Sequence, residues 1–150
     1  MSSHQGCGSG AREAAWALRG TALRFTASTT IEAMTYPQNR VLEARALVLH
    51  DMEATGITGP ESVSVLEEAV SSRRWWVERW EEGAAYVAGL VAQDVQDNLM
   101  ETNGRWPLCP VCPSATHALY IHPEIGGPDP HWVCEATGTA VAPLGGLSVS

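Results

Sequence analysis

Two cysteines separated by two residues, followed by a third at hairpin distance, constrain the fold of this chain more than any other feature. Cys109 and Cys112 form a Cys-x2-Cys knuckle, and Cys134 follows 22 residues later. Two thiolates at this spacing can converge on one zinc ion, and a third can occupy another corner of a tetrahedron. The spacing therefore predicts a structural Zn²⁺ site in a small zinc-ribbon-like module over residues 105–150.

The fourth ligand of this site is not fixed by the spacing. A complete ribbon would carry a fourth cysteine at the position of Thr137. His117 follows the knuckle by five residues and is close enough to fold back onto it. His131 has knuckle spacing to the third cysteine, but in an extended strand the two would face opposite sides of a sheet. We rank His117 first, His131 as the alternative fourth ligand, and His122, at the edge of a turn, third.

Other interpretations of the cysteines remain open. Reduced cysteines can pack as small apolar side chains, and a Cys-x2-Cys pair can carry redox chemistry, although no βαβ context surrounds this one. A catalytic zinc would need an open coordination position and a general base, for which Glu124 and Glu135 are unspecific candidates. Structural zinc is the interpretation that we favour.

The charge and hydropathy of the chain disfavour several classes of protein. The net charge is −8, all nine cations are arginines, and residues 61–104 carry nine acidic residues against three arginines. Without a basic segment, strong binding to nucleic acid is disfavoured. The longest apolar run, 84–92, is far shorter than the roughly 20 residues that span a bilayer, and the polar start does not resemble a signal peptide. We expect a cytoplasmic protein, whose reducing environment favours metal over disulfide.

Upstream of the cysteines the sequence predicts helices, because apolar residues recur at three- and four-residue intervals. Residues 1–10 are predicted to be a flexible tail, and residues 11–104 a helical domain. The predicted helices run from Ala11 to the Tyr36-Pro37 step, from Asn39 to about Thr55, and from Pro60 to about Thr102. The expected fold class is mainly α, with about three helices, one of them long, and a small C-terminal β-hairpin zinc-ribbon-like module.

The third predicted helix carries the most regular pattern. Its apolar residues form a heptad seam over residues 63–91, interrupted only by Arg73. An unbroken helix over 60–102 would be on the order of 60 Å long, more than a globule of this size can cover. We therefore expect either a kink at Ser71-Ser72 or a seam that partly meets another chain.

Arginines and tryptophans alternate within residues 73–80, as they do on surfaces that bind single-stranded nucleic acid. On a helix, however, Trp76 and Trp80 are i,i+4 neighbours, and nearby glutamates repel phosphate. We therefore predict a non-enzymatic protein-interaction or regulatory protein. Its partner, another protein or a second copy, would bind through the helix 60–102 with Trp76 and Trp80 at the interface. The alternatives are a nucleic-acid or transcription-associated zinc ribbon and, third, a zinc-dependent hydrolase.

The segment His50-Asp51-Met52-Glu53 on the second predicted helix could suggest a metal or acid–base cluster. Helical geometry places His50 on the same side as Glu43, opposite the apolar stripe. We therefore interpret this segment as part of a solvated surface.

The C-terminal segment resembles the ending of short, uncharacterised actinobacterial proteins. The resemblance rests on W-P-x-C-P, H-x-L, W-V-C and V-A-P-L-G, found here at 106–110, 117–119, 132–134 and 141–145. It covers about 40 residues. It implies a zinc-ribbon-like module in which His117 accompanies the three cysteines, and it implies no established activity.

Overall fold

Helices come first in this fold and a small sheet follows. The computed structural model describes residues 35–113, 116–124 and 126–149. The elements are α1 (Tyr36–Ala54), α2 (Pro60–Arg79), a 3₁₀ helix (Glu81–Tyr86), α3 (Val87–Thr102), β1 (Leu119–His122), β2 (His131–Cys134) and β3 (Ala140–Pro143). The predicted class, mainly α with a small C-terminal β module, is confirmed. The predicted tail and the predicted first helix up to residue 34 lie outside the described residues.

Local signals set the ends of α1 and the start of α2. The Tyr36-Pro37 step was expected to end a helix, but α1 begins there, because a proline in the first turn loses no helical hydrogen bond. Gly56, the predicted stop, takes a left-handed φ of 80°, and the N–H of Ile57 then reaches the carbonyl of Met52 at 2.8 Å. α2 begins at Pro60, as predicted.

The prediction of one helix over 60–102 is wrong, and so is the kink at Ser71-Ser72. α2 ends at Arg79, and Trp80 adopts an extended backbone before the 3₁₀ helix begins. Gly83 lies so close to two indole rings that a Cβ there would come within 2.7 Å of both Trp76 and Trp80. The Trp80 ring stacks on that of Tyr86, with ring centroids 5.9 Å apart. Packing of these rings against a residue without a side chain fixes the break.

Because the chain turns back at this break, the predicted seam is buried against other helices of the same chain. Leu66 and Val77 of α2 are fully buried, as are Val87 and Val91 of α3. Arg73, the interruption of the seam, makes a two-point ion pair with Asp94 of α3, with N–O distances of 2.7 and 2.8 Å. The seam therefore holds α2 against α3 and does not require a second chain to cover it.

The C-terminal module is a three-stranded antiparallel sheet in the order β1-β2-β3. β1 and β2 are the two strands that the sequence predicts, with Leu119 opposite Cys134 and His122 opposite His131. β3 was not predicted. It pairs with β2, with a register shift between Trp132 and Val133, and forms the third strand of the sheet.

A buried carboxylate attaches this module to the helices. Asp51 of α1 is 0% exposed, and its oxygens accept hydrogen bonds from the Trp132 indole at 2.7 Å, from the Gly145 amide at 2.7 Å and from the Leu147 amide at 3.0 Å. The interpretation of this segment as solvated surface is therefore wrong for Asp51, although His50 beside it is exposed. The donors lie 81 to 96 residues further along the chain, where a local pattern cannot detect them.

Two further side chains join helices and module. The Gln96 amide of α3 donates to the carbonyls of Trp106 and Leu119 at 3.0 and 2.8 Å. The Trp106 indole donates to the Thr55 hydroxyl at 2.8 Å. One hydrophobic core runs through both parts, and residues 36–150 form one unit. Of the helices that the structure describes, none is both long and apolar enough to cross a membrane.

We predict that Asp51→Ala lowers the free energy of unfolding by about 3–5 kcal/mol, because three donors of the C-terminal module, two of them buried, lose their acceptor. Urea denaturation measures this loss, and Asp51→Asn, which keeps one acceptor oxygen, should lose less. The control is Glu53→Ala, an exposed neighbour on α1, which should change stability by no more than about 0.5 kcal/mol. Equal losses for Asp51→Ala and the control would contradict this role of Asp51.

Candidate metal centre

The candidate site lies where the knuckle meets the β1–β2 hairpin. The amide of Cys109 donates to the carbonyl of His117 at 3.1 Å, and the amide of Leu119 donates to that of Pro107 at 2.7 Å. These bonds align the knuckle with the start of β1. Cys134 is the last residue of β2 and stands opposite Leu119. Three separate segments thus deliver side chains to one point.

Four side chains converge there: Cys109, Cys112, His117 and Cys134. Their ligand atoms all lie within 4.8 Å of one another. The sulfurs of Cys112 and Cys134 are 3.6 Å apart, and the Cys134 sulfur is 3.5 Å from the Nε2 of His117. A tetrahedral zinc ion would place two sulfur ligands about 3.8 Å apart and a sulfur and a nitrogen about 3.6 Å apart. The cluster could hold a metal ion.

The sulfurs are not joined to one another. All three cysteines are free, and the separation of 3.6 Å far exceeds the roughly 2.05 Å of a disulfide bond. Cys109 and Cys134 are buried, whereas Cys112 and His117 are partly exposed. The cluster therefore has a protein side and a side open to solvent, from which a metal ion can arrive.

Thr137 occupies the position of the missing fourth cysteine and acts on Cys134. Its hydroxyl and its backbone N–H both donate hydrogen bonds to the Cys134 sulfur, and together with the bond from His117 they lower the pKa of that thiol to about 5. Hydrogen bonds to the charged form favour it, so this arrangement favours the thiolate form of Cys134. The sequence showed that a ligand was missing here but not that Thr137 supports a neighbouring one.

Hydrogen bonds and burial also shift the pKa values of the other members of the cluster. The hydrogen bond with Cys134, reinforced by burial, raises the pKa of Cys112 to about 11. Burial alone would raise the pKa of Cys109, but the backbone N–H groups of Cys112 and Val111 outweigh it and lower that pKa. Hydrogen bonds that His117 donates to the sulfurs of Cys134 and Cys109 raise the pKa of His117. A divalent cation would replace these protons, because its ligands bind deprotonated.

The remaining candidates lie outside the cluster. His131, the alternative fourth ligand, has its Nδ1 2.5 Å from the carbonyl of Asp129. His122, opposite it in the ladder, is exposed, as are Glu124 and Glu135. Within the described residues, the group of potential ligands consists of cysteine and histidine alone.

The two residues predicted for an interface lie far from this cluster in sequence and pack on each other. The rings of Trp76 and Trp80 meet edge to face, with centroids 5.0 Å apart. Trp76 is partly buried, and Trp80 is more exposed. Trp75, which we did not select from the sequence, is the most exposed tryptophan of the described residues. Its exposure follows from its place on the outer side of α2.

Fold and site together define a helical protein with a Cys₃His cluster on a C-terminal antiparallel ribbon. A family model described as Domain of unknown function (DUF8819) matches residues 37–144, which is well over half of the 150 residues. The chain belongs to this family. The match begins in α1 and ends just after β3, so it includes the helices and all four cluster residues. No curated protein and no solved structure matches the chain.

We predict that His117→Ala weakens metal binding at least tenfold, whereas His131→Ala leaves it unchanged, because only His117 points a ring nitrogen at the cysteines. Titration with Co²⁺ checks this, since tetrahedral cobalt bound by three sulfurs and one nitrogen has intense visible absorption. A loss of that spectrum in His131→Ala, with His117→Ala unaffected, would contradict the ligand set.

Proposed function

We propose that this chain is a non-enzymatic protein-interaction or regulatory protein whose C-terminal ribbon is held by a structural zinc ion. The observation that carries the proposal is the convergence of four protein ligand atoms within 4.8 Å. Three thiolates and one imidazole fill all four positions of a tetrahedral zinc ion, which is the composition of structural sites. A catalytic zinc site keeps one position for water or substrate.

The surroundings of the cluster support a structural role over hydrolysis. A hydrolytic zinc needs a general base near its bound water. Glu135 follows Cys134 directly, but it is exposed and outside the group of potential ligands, as is Glu124. The zinc-dependent hydrolase is therefore the weakest of the three candidates.

Zinc in this position would join the knuckle to both strands of the hairpin. Each of the three strands that the structure describes in this module has four residues, fewer than a typical strand, so the sheet itself supplies few ladder hydrogen bonds. Metal binding in such modules contributes directly to folding. The proposal includes a cytoplasmic location, because the three thiols must stay reduced to bind the metal.

The proposed interaction site is an aromatic surface formed by Trp75, Trp80 and Tyr86. Their exposed fractions are 57%, 44% and 37%. The guanidinium of Arg79 lies 3.9 Å from the Trp75 ring centre, which presents an arginine and a tryptophan together. Both residue types are enriched at binding hot spots. Trp76, selected from the sequence, would support this surface from beneath.

Binding of nucleic acid is a weaker candidate for the same surface. Of the three arginines in 61–104, Arg73 is paired with Asp94, and Arg79 lies over Trp75. Nine acidic residues in the same segment would repel phosphate. The absence of salt-dependent binding to single-stranded DNA or RNA at low ionic strength would remove this candidate.

We predict that zinc raises the melting temperature by about 10 °C or more relative to metal-free reduced protein, because binding energy is added to the folded state alone. Thermal unfolding followed by circular dichroism measures this, and native mass spectrometry should find one zinc per chain. The matched control is Cys112→Ser, whose melting temperature should respond much less to zinc. Identical unfolding of the zinc-loaded and metal-free protein would contradict a structural role.

We predict that Trp75→Ser with Trp80→Ser weakens association at least tenfold, because it removes the two largest exposed side chains of the aromatic surface. Sedimentation velocity measures self-association. A photo-crosslinker at position 79, beside Trp75, captures a different protein in cells if that is the partner. Met100→Ser, an exposed apolar position on α3, is the control and should change neither result. A monomeric chain without any crosslinked partner would refute the interaction surface.

A further inference from the structure

A cavity of about 530 Å³ lies where the ends of α1 and α3 meet the C-terminal module. Its apolar walls come from three parts of the chain and consist of Ala54, Ile57, Leu108, Val141, Ala142 and Leu147. Pockets for small ligands typically measure 300–1,000 Å³ and combine apolar walls with a few polar groups. This cavity has the size and the lining of a ligand site, and Cys109 of the cysteine–histidine cluster forms part of its wall.

Hydrogen bonds between distant segments fix the walls. The Trp106 indole is bonded to Thr55 at the end of α1, and the Leu147 amide is bonded to the buried carboxylate of Asp51. The Trp106 carbonyl accepts a further bond from Gln96 of α3. A cavity held in this way is formed before a ligand arrives, which lowers the entropic cost of binding.

The cavity wall carries an arginine, whereas the chain as a whole is acidic. Its described lining residues include one cation, Arg105, and neither aspartate nor glutamate. The whole chain carries a net charge of −8. The exposed guanidinium of Arg105 attracts an anion to this cavity, against the repulsion of the surrounding acidic surface. The ligand is therefore expected to carry a negative charge next to an apolar body.

The guanidinium of Arg105 offers the geometry that a carboxylate needs. Its Nη1 donates to the carbonyl of Thr116 at 2.6 Å, which anchors the side chain. In the part of the chain that the structure describes, its Nε and Nη2 make no hydrogen bond. Arg73 uses this same pair of nitrogens to bind the carboxylate of Asp94. Such two-point pairing matches the planar shape of a carboxylate.

We propose that this cavity binds a small organic monocarboxylate with an apolar body, such as a medium-chain fatty acid. The carboxylate would pair with the Nε and Nη2 of Arg105, and the apolar body would lie against Leu108, Val141 and Leu147. One cation balances a single negative charge, which favours a carboxylate over a doubly charged phosphate. Because Cys109 belongs both to this cavity and to the candidate metal site, every comparison below uses protein in the same metal state.

The test uses octanoate as the probe and the full-length, zinc-loaded protein, followed by heteronuclear NMR. Octanoate is expected to bind one site with a dissociation constant at or below about 1 mM. Its chemical-shift changes should concentrate at Arg105, Ala142 and Leu147. Octan-1-ol, which has the same body without the charge, should bind at least tenfold more weakly.

Two variants test the roles of charge and apolar wall. Arg105→Gln should weaken octanoate binding about tenfold and leave octan-1-ol binding unchanged, and Arg74→Gln, an exposed arginine of α2 outside the cavity, is its matched control. Leu108→Asp should weaken both ligands, and the fold should tolerate it because Leu108 is 52% exposed. Shifts scattered over the surface, no saturation, or equal affinity of octanoate for Arg105→Gln and the parent protein would overturn the proposal.

Discussion

The carboxylate of Asp51 is the interaction on which the joining of helices and ribbon depends. An unpaired charge at 0% exposure would be too costly to retain. Here three donors of the C-terminal module meet its two oxygens, and the Nδ1 of His50 lies 3.2 Å from one of them. One donor is the Trp132 indole in the middle strand, and the other two are amides that follow β3. These donors reach α1 together only when the sheet has formed. Helix packing and ribbon folding are therefore coupled, and whatever stabilises the ribbon also stabilises the helical core.

A zinc ion at the Cys₃His cluster would be compatible with the acidic character of the chain. Zinc with four thiolates carries a net charge of −2, whereas three thiolates and a neutral imidazole leave −1. The chain has a net charge of −8, so a histidine in place of a fourth thiolate would reduce the electrostatic repulsion between the zinc-bound cluster and the rest of the chain. Thr137 contributes in the same direction, because its two hydrogen bonds disperse the charge of Cys134. The departure from a four-cysteine ribbon is thus physically favourable here.

Sequence reasoning succeeded where the determinant is local. Gly56 and Pro60 mark a helix end and a helix start through backbone preferences that need no partner. The spacing of Cys109 and Cys112 is likewise local and indicates the knuckle directly. It failed where contacts between residues far apart in the sequence determine the structure. Gly83 breaks the long helix because indole rings occupy the space of its Cβ, which no periodicity reveals. The burial of Asp51 depends on donors that lie at least 81 residues away.

The pairing of Leu119 with Cys134 has a consequence for how the ribbon assembles. Strand residues alternate between two faces, so a slip of one residue between β1 and β2 would turn Cys134 away from the knuckle and present Val133 or Glu135 in its place. Neither valine nor an exposed glutamate completes a set of three sulfurs. Binding of a metal ion would then favour the one alignment of the two strands that places Cys134 beside the knuckle. A bound ion would thus select the correct register of the hairpin. The four-residue strands alone contain few side chains that could specify this register.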